Sequence, residues 1–247
     1  MIRTIFLLLF WGLSILIVGP FLLLATVVTR SANFMYRVAT WLAISGVRLA
    51  GVKIDVRGLE HLQPGCSYIY MSNHVSNLDP PTLIPSIPGR CSVLVKKEVF
   101  RIPILGFAMK VARLVPVDRR NREAAIESVR VAAEVLRHGL SMVIFPEGTR
   151  SMDGRLLPFK KGPFHLAKEA GVQVVPVTLM GTAELWPKDT WAMKSGTATL
   201  IFHPPIDPAG FADRDQLMAA VREQIASALP EDRRGPAPDR GTAADSI

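Results

Sequence analysis

Residues 5–29, IFLLLFWGLSILIVGPFLLLATVVT, hold no charged side chain across 25 positions. No other stretch narrows the possible folds as much. As a helix the run is about 37 Å long at about 1.5 Å per residue, enough to cross a hydrocarbon layer of about 30 Å. A cleaved secretory signal is the competing reading. Such signals carry a shorter apolar stretch and a small-residue cleavage site, and LLATVVTRS is a poor one. Gly19-Pro20 sits inside the run and predicts a kink, so a straight span and a bent or re-entrant insertion both stay open.

Residues 31–50 predict a second helix. Arg37, Thr40 and Arg48 share one stripe, while Phe34, Met35, Val38, Trp41 and Leu42 lie elsewhere around it. Directly after an apolar run, this pattern fits an interfacial helix with snorkelling arginines. One arginine precedes the first segment and several follow it, so the positive-inside rule places residues 30 onward in the cytoplasm.

From residue 52 the pattern changes to that of a packed domain. Strands are expected over 66–72, 91–97, 113–118, 141–147, 172–181 and 197–205. Helices are expected over 122–138, ended by Gly139, over 163–170, ended by Gly171, and over 213–228. Strands alternating with helices indicate an α/β fold with a mainly parallel sheet and flanking helices, preceded by the membrane-embedded helical segment. Three units follow: 1–50 as membrane-inserted or interfacial helices, 51–229 as the main domain, and 230–247 as a disordered tail without apolar anchors.

Charge is unevenly spread. The chain carries a formal +8, and residues 86–122 hold nine Lys/Arg against two acids, a net of +7. Such a field suits nucleic acid, an anionic membrane surface or a phosphorylated substrate, and the membrane segment argues against nucleic acid. Cys66 and Cys91 show neither metal nor disulfide-framework spacing and are expected as free thiols.

In open α/β sheets, ligands bind beyond the carboxyl ends of the strands. Ser72-Asn73-His74, Asp118-Arg119-Arg120 and Pro146-Glu147-Gly148-Thr149-Arg150 all fall at such ends. His74 and Asp79 cannot share an ideal helix face, because five residues rotate a helix by about 500°. They must meet across a turn, with Asp79 as N-cap and Pro80 as first helical residue. A carboxylate on one imidazole nitrogen leaves the other as a proton acceptor. A capping Asp beside a structural His fits the same residues. Likewise, FPEGTR reads either as a binding turn or as a strand end with Glu147 paired to Arg150. A Ser-His-Asp hydrolase would want a Gly-x-Ser-x-Gly elbow, and the chain has none.

NHVSNLD at 73–79 and FPEGTRS at 145–151, with a strand ending in Asp-Arg between them and Val175-Pro176-Val177 after them, resemble the motifs of the glycerolipid acyltransferase family. KKEVFRIPILGFAMK (96–110) is also similar to that family, and the resemblance spans roughly residues 50–210. It implies acyl transfer from acyl-CoA or acyl-carrier protein to the sn-2 hydroxyl of lysophosphatidic acid, giving phosphatidic acid. The alternative keeps the chemistry and changes the acceptor, for instance to a lyso-ornithine lipid. His74 would be the general base and Asp79 its orienting acid. Arg119, Glu147, Gly148, Thr149 and Arg150 would bind substrate, with the arginines on the acceptor's phosphate. Lys160 and Lys161 follow the third motif and are either further phosphate contacts or an exposed pair.

The resemblance implies neither metal nor cofactor, the acyl thioester being a substrate. Its implied partners are membrane phospholipids and no nucleic acid, and its implied place is a bacterial inner membrane with the catalytic domain facing the cytoplasm. Two positions depart from the family pattern. Arg113 stands five residues before Asp118 where glycine is often found, and Val75 follows His74 where glutamine is frequent. Both bear on acyl-chain and acceptor preference more than on the reaction.

Overall fold

The strands β2 (Ile69–Ser72) and β5 (Ser141–Ile144) are buried at every residue. Strands without a polar face belong in the middle of a sheet covered on both sides. In the computed structural model, which describes residues 1–118 and 122–236, they take that place. The seven-stranded sheet also contains β1 (Val52–Arg57), β3 (Cys91–Lys96), β4 (Val115–Val117), β6 (Val174–Met180) and β7 (Gly196–Phe202), in the order β1-β7-β6-β2-β5-β3-β4. Every neighbouring pair is parallel except β6 and β7. The expected α/β fold with a mainly parallel sheet is therefore observed.

Alternation along the strands splits the core in two. Tyr70, Val143, Val175 and Val177 face one cluster, whereas Ile69, Met71, Met142, Ile144 and Val174 face another. The second cluster lies under α6 (Arg122–Arg137), α7 (Gly162–Ala170) and α9 (Arg214–Ser227), through residues such as Leu136, Phe164 and Val221. The first is covered by α1 (Ile2–Leu13), α3 (Asn33–Leu49) and α4 (Asp79–Ser86), through Leu7, Tyr36, Val47 and Leu83.

The apolar N-terminal run is one helix from Ile2 to Thr29, long and apolar enough to cross a membrane, with a mean hydropathy of 2.5. Gly19-Pro20 does not break it. A π-helical segment, Ser14–Val18, precedes α2 (Gly19–Thr29), and the Gly19 N–H donates to Ser14 O. Widening the turn there accommodates Pro20, which cannot donate to the ladder. Helices α1 and α3 are pinned by side-chain bonds, from Arg3 Nη1 to Ala50 O (2.8 Å) and from Trp11 Nε1 to Ala43 O (3.3 Å). Gly46 permits that contact, since a Cβ there would come within 2.6 Å of Trp11 Nε1. The outer side stays apolar and exposed at Leu16, Ile17, Phe21, Leu24 and Val28. On α3, Met35 and Tyr36 are buried while Phe34, Arg37, Trp41 and Arg48 are exposed.

Three elements depart from expectation. β1 was not among the expected strands, although Lys53, Asp55 and Arg57 alternate with Val52, Ile54 and Val56 as in an edge strand with one covered face. Helix α5 (Leu105–Val111), packed against α2, was likewise unexpected. The tail expected from Pro230 is packed as far as Pro236. Glu231–Arg233 form a 3₁₀ turn, Leu156 N–H donates to Arg233 O (2.9 Å), and Arg222 Nη2 donates to the carbonyls of Arg234 (3.1 Å) and Pro236 (2.9 Å). Apolar anchors are not needed there, because a buried guanidinium requires carbonyl acceptors. Both cysteines are free, with Cys91 buried beside the Tyr36 hydroxyl.

Candidate active site

Strand register brings the first and third motifs together. Met71 of β2 pairs with Ile144 of β5, and three residues beyond each lie His74 and Glu147. Glu147 Oε1 accepts the His74 N–H at 2.7 Å, and Oε2 accepts the Leu157 N–H at 2.9 Å. On the other side of the peptide, His74 O accepts the Ser151 N–H at 2.8 Å. The imidazole stacks on Phe145, with centroids 4.1 Å apart and planes at 23°. The backbone of His74 is thus clamped by the segment that follows β5.

Asn73 performs the same service toward β6. Its side chain donates to Leu179 O (2.9 Å) and accepts from Leu179 N–H (2.8 Å), a complete amide pairing in a buried position. Sequence reasoning gave Asn73 no role, and its partner 106 residues away left no local signal.

Asp79 is wholly buried. Its Oδ2 accepts from His74 Nδ1 (2.8 Å), Val75 N–H (2.7 Å) and Ser76 N–H (2.8 Å). A carboxylate only accepts, so Nδ1 carries the proton and Nε2 is the bare, basic nitrogen. Among the described residues Nε2 has no hydrogen-bond partner, and the His74 side chain is 13% exposed. Asp79 is the first residue of α4 and Leu78 stands at its N-cap. The carboxylate therefore satisfies the turn before the helix instead of capping the helix it begins. Asp79 Oδ1 is buried without a partner among the described residues.

Glu147 was expected to bind substrate, or to pair with Arg150. It does not pair with Arg150. With 2% exposure and both oxygens on backbone N–H groups, it holds the motif loops in place. Burial pushes its carboxyl up to about 8, opposed by the two backbone N–H groups and reinforced by the nearby Asp79 charge. Arg150 Nη1 instead donates to Asn77 Oδ1 at 2.6 Å, and Arg150 O accepts from Lys188 Nζ at 3.1 Å. Arg150 thereby borders the same loop as His74, and Thr149 is exposed beside it.

Gly148 turns the chain at φ 70°, a left-handed conformation that glycine adopts without steric cost. Lys161 pairs with Asp215 at 3.4 Å. Lys97 pairs with Asp118 at the end of β4, and Arg119, the next expected site residue, lies outside the described residues.

The acyltransferase family model matches residues 53–180, just over half of the chain, from the second residue of β1 to the end of β6. The chain belongs to the acyltransferase family. Its relatives include a chloroplastic 1-acyl-sn-glycerol-3-phosphate acyltransferase of Brassica napus, 38% identical over 179 residues, covering 72% of this chain and 51% of that protein. The alpha form of the human 1-acyl-sn-glycerol-3-phosphate acyltransferase is 34% identical over 168 residues, covering 68% and 59%. This acyltransferase chain spans about half the length of the curated relatives it matches. Among solved structures, the 1-acyl-sn-glycerophosphate acyltransferase PlsC of Thermotoga maritima aligns with a TM-score of 0.78 at 29% identity, covering 91% of this chain and 92% of that one.

One departure from the acyltransferase pattern now has a structural meaning. Arg113, at the position where the family often has glycine, sits at φ 61° just past the end of α5. It is a left-handed helix C-terminus, the conformation for which glycine is the least costly residue.

Proposed function

We propose that this acyltransferase moves an acyl group from a thioester, acyl-CoA or acyl-carrier protein, to the sn-2 hydroxyl of lysophosphatidic acid, forming phosphatidic acid. One observation carries the reading: His74 Nδ1 lies 2.8 Å from the buried Asp79 Oδ2, which leaves Nε2 basic at a partly open position. Nε2 takes the proton of the acceptor hydroxyl as its oxygen bonds to the thioester carbonyl carbon. The tetrahedral adduct expels the thiolate, which takes the proton back from the imidazolium, so the ester forms and the histidine is regenerated. No covalent acyl-enzyme is needed. Asp79 accepts from Nδ1 and orients the ring. Arg150 and Arg119 hold the acceptor's phosphate, for which a guanidinium fork is well matched.

The exposed apolar side of α1 and α2 supports a membrane-bound protein, and with both halves of that helix packed on the domain, the exposed Arg30, Arg37 and Arg48 support its seating on an anionic cytoplasmic leaflet. Alignment over nearly the full length of a bacterial structure supports placement in a bacterial inner membrane.

The test is an assay of purified full-length protein with labelled acyl thioester and a panel of lysolipids. Transfer to lysophosphatidic acid, lowered at least ~10²-fold by His74→Ala in a protein that keeps its thermal midpoint, is the expected result. Preferential acylation of lyso-ornithine lipid would replace the acceptor. Undiminished turnover in His74→Ala would remove the base.

A further inference from the structure

The parallel strands β3, β4 and β5 begin at the sheet edge opposite His74 and Glu147. There, a groove of about 630 Å³ lies between the α2–α3 turn, the end of α5 and the start of β5. Arg30, Arg90, Arg113 and His138 line it, and its lining contains no carboxylate. None of these four side chains has an acidic partner among the described residues. Arg90 Nη1 donates to Asn33 Oδ1 at 2.9 Å and its guanidinium lies over the Tyr36 ring at 5.7 Å, while its Nε is buried and unpartnered among the described residues. His138 Nδ1 donates to Glu134 O at 2.8 Å, so Nε2 is its remaining polar atom.

We propose that this groove binds the phosphodiester headgroup of an anionic phospholipid. Converging arginines without a carboxylate repel one another, and an anion between them turns that repulsion into charge-assisted contacts. Burial first, and the neighbouring Arg113 charge after it, hold Arg90 below its ordinary pKa.

A lipid fits better than a free ion because the lining is mixed. Thr26 and Val27 of α2 border the groove, and Phe21, Leu24 and Val28 leave the adjoining helix surface apolar and exposed. Acyl chains have somewhere to lie. The site is separate from the acceptor's. Helix α3, about 25 Å long, starts at Asn33 in the groove and ends near Gly51, whose carbonyl accepts from Gly196 at the catalytic edge. A lipid held here would fix the far end of the helical hairpin to an anionic bilayer while the near end presents His74.

The experiment uses the full chain in neutral detergent, with Arg150→Ala as the background so that the catalytic edge adds little phosphate binding. Calorimetric titration compares dihexanoyl phosphatidylglycerol, dihexanoyl phosphatidylcholine and inorganic phosphate. The expected result is saturable binding of one phosphatidylglycerol per chain, with phosphatidylcholine and phosphate at least ~10-fold weaker. Adding Arg90→Ala and Arg113→Gly should weaken phosphatidylglycerol binding at least ~10-fold, the scale of lost charge-assisted bonds. Arg48→Ala with Lys53→Ala, which removes equal charge elsewhere, should change it less than about twofold. Should the first pair lower the thermal midpoint, Arg30→Gln with His138→Gln replaces it under the same criterion. Equal weakening by both pairs, equal affinity for phosphatidylcholine or for inorganic phosphate, or no saturable binding would each overturn the proposal.

Discussion

Glu147→Gln tests what the third motif does. The wild-type side chain offers one oxygen to the His74 N–H at 2.7 Å and the other to the Leu157 N–H at 2.9 Å, in a position 2% exposed. A glutamine has the same shape, but its NH2 nitrogen cannot accept, whereas both oxygens of a carboxyl group keep a lone pair even when one carries the proton. Whichever way its amide sits, one backbone N–H must face another donor, a loss of about 1–3 kcal/mol. In a chain of this size that is a drop of roughly 2–10 °C in thermal midpoint. The lost bond holds the backbone of His74, the proposed base, and a displacement of about 1 Å there costs up to ~10²-fold in rate.

The expected result is therefore a kcat lowered about 10- to 100-fold with the acceptor KM within about twofold. Stability should also respond to pH. The folded carboxyl sits at about 8 against an ordinary 4.5, so the fold holds this proton more tightly than the unfolded chain does. The stabilising contribution is complete below about 4.5 and is lost as pH rises through about 8. The wild-type midpoint should fall across that window, and Glu147→Gln should flatten the fall. A raised KM with kcat unchanged would make Glu147 a substrate ligand. An unchanged midpoint at every pH would refute the clamp.

Other consequences follow from the same geometry. Asp79→Asn should lower kcat about 10⁴-fold by favouring the wrong imidazole tautomer, as read by single-turnover kinetics, and a loss below about tenfold would make Asp79 merely structural. Arg113→Gly should raise the thermal midpoint by roughly 2–4 °C, since a left-handed non-glycine residue costs about 1 kcal/mol. A lower midpoint would mean the arginine side chain contributes more than its backbone costs. The triple change Phe21→Ser, Leu24→Ser, Val28→Ser removes exposed apolar side chains that each contribute about 1.5–3 kcal/mol when buried in lipid. Sedimentation should find the variant largely released from membranes yet active on a short-chain soluble acceptor, and full membrane retention would contradict the reading of α1–α2.

What the sequence disclosed and withheld depends on how far each partner lies. The apolar run, the buried central strands and the amphipathic α6 are local patterns, and each is legible as such. The convergence of His74 with the third motif was also legible, because both segments end strands of one parallel sheet. The task of Glu147 was not. Its local neighbour is Arg150, three residues on, whereas its actual partners are N–H groups 73 and 10 residues away. The N-terminal helices looked like a separate anchor, but Leu7, Tyr36 and Val47 belong to the main core. An apolar helix reveals that it has somewhere to bury, not which of its faces the sheet will claim.

The spacing within each motif has a stricter cause than the spacing between motifs. Nothing in the fold fixes the 73-residue separation of His74 and Glu147, which passes through α4, β3, α5, β4, α6 and β5. The offset of three residues from each strand end is fixed, because Met71 and Ile144 are paired and the two loops must leave the sheet level with one another. Asn73 ties the β2 exit to β6, Glu147 ties it to β5, and Asp79 folds the chain back onto its own loop. These bonds hold the backbone of His74, and Asp79 fixes its Nδ1. The one polar atom of that residue left without a partner, among the described residues, is Nε2. A scaffold that satisfies every hydrogen-bonding group of a histidine except one nitrogen leaves that nitrogen as the place where an outside proton can go.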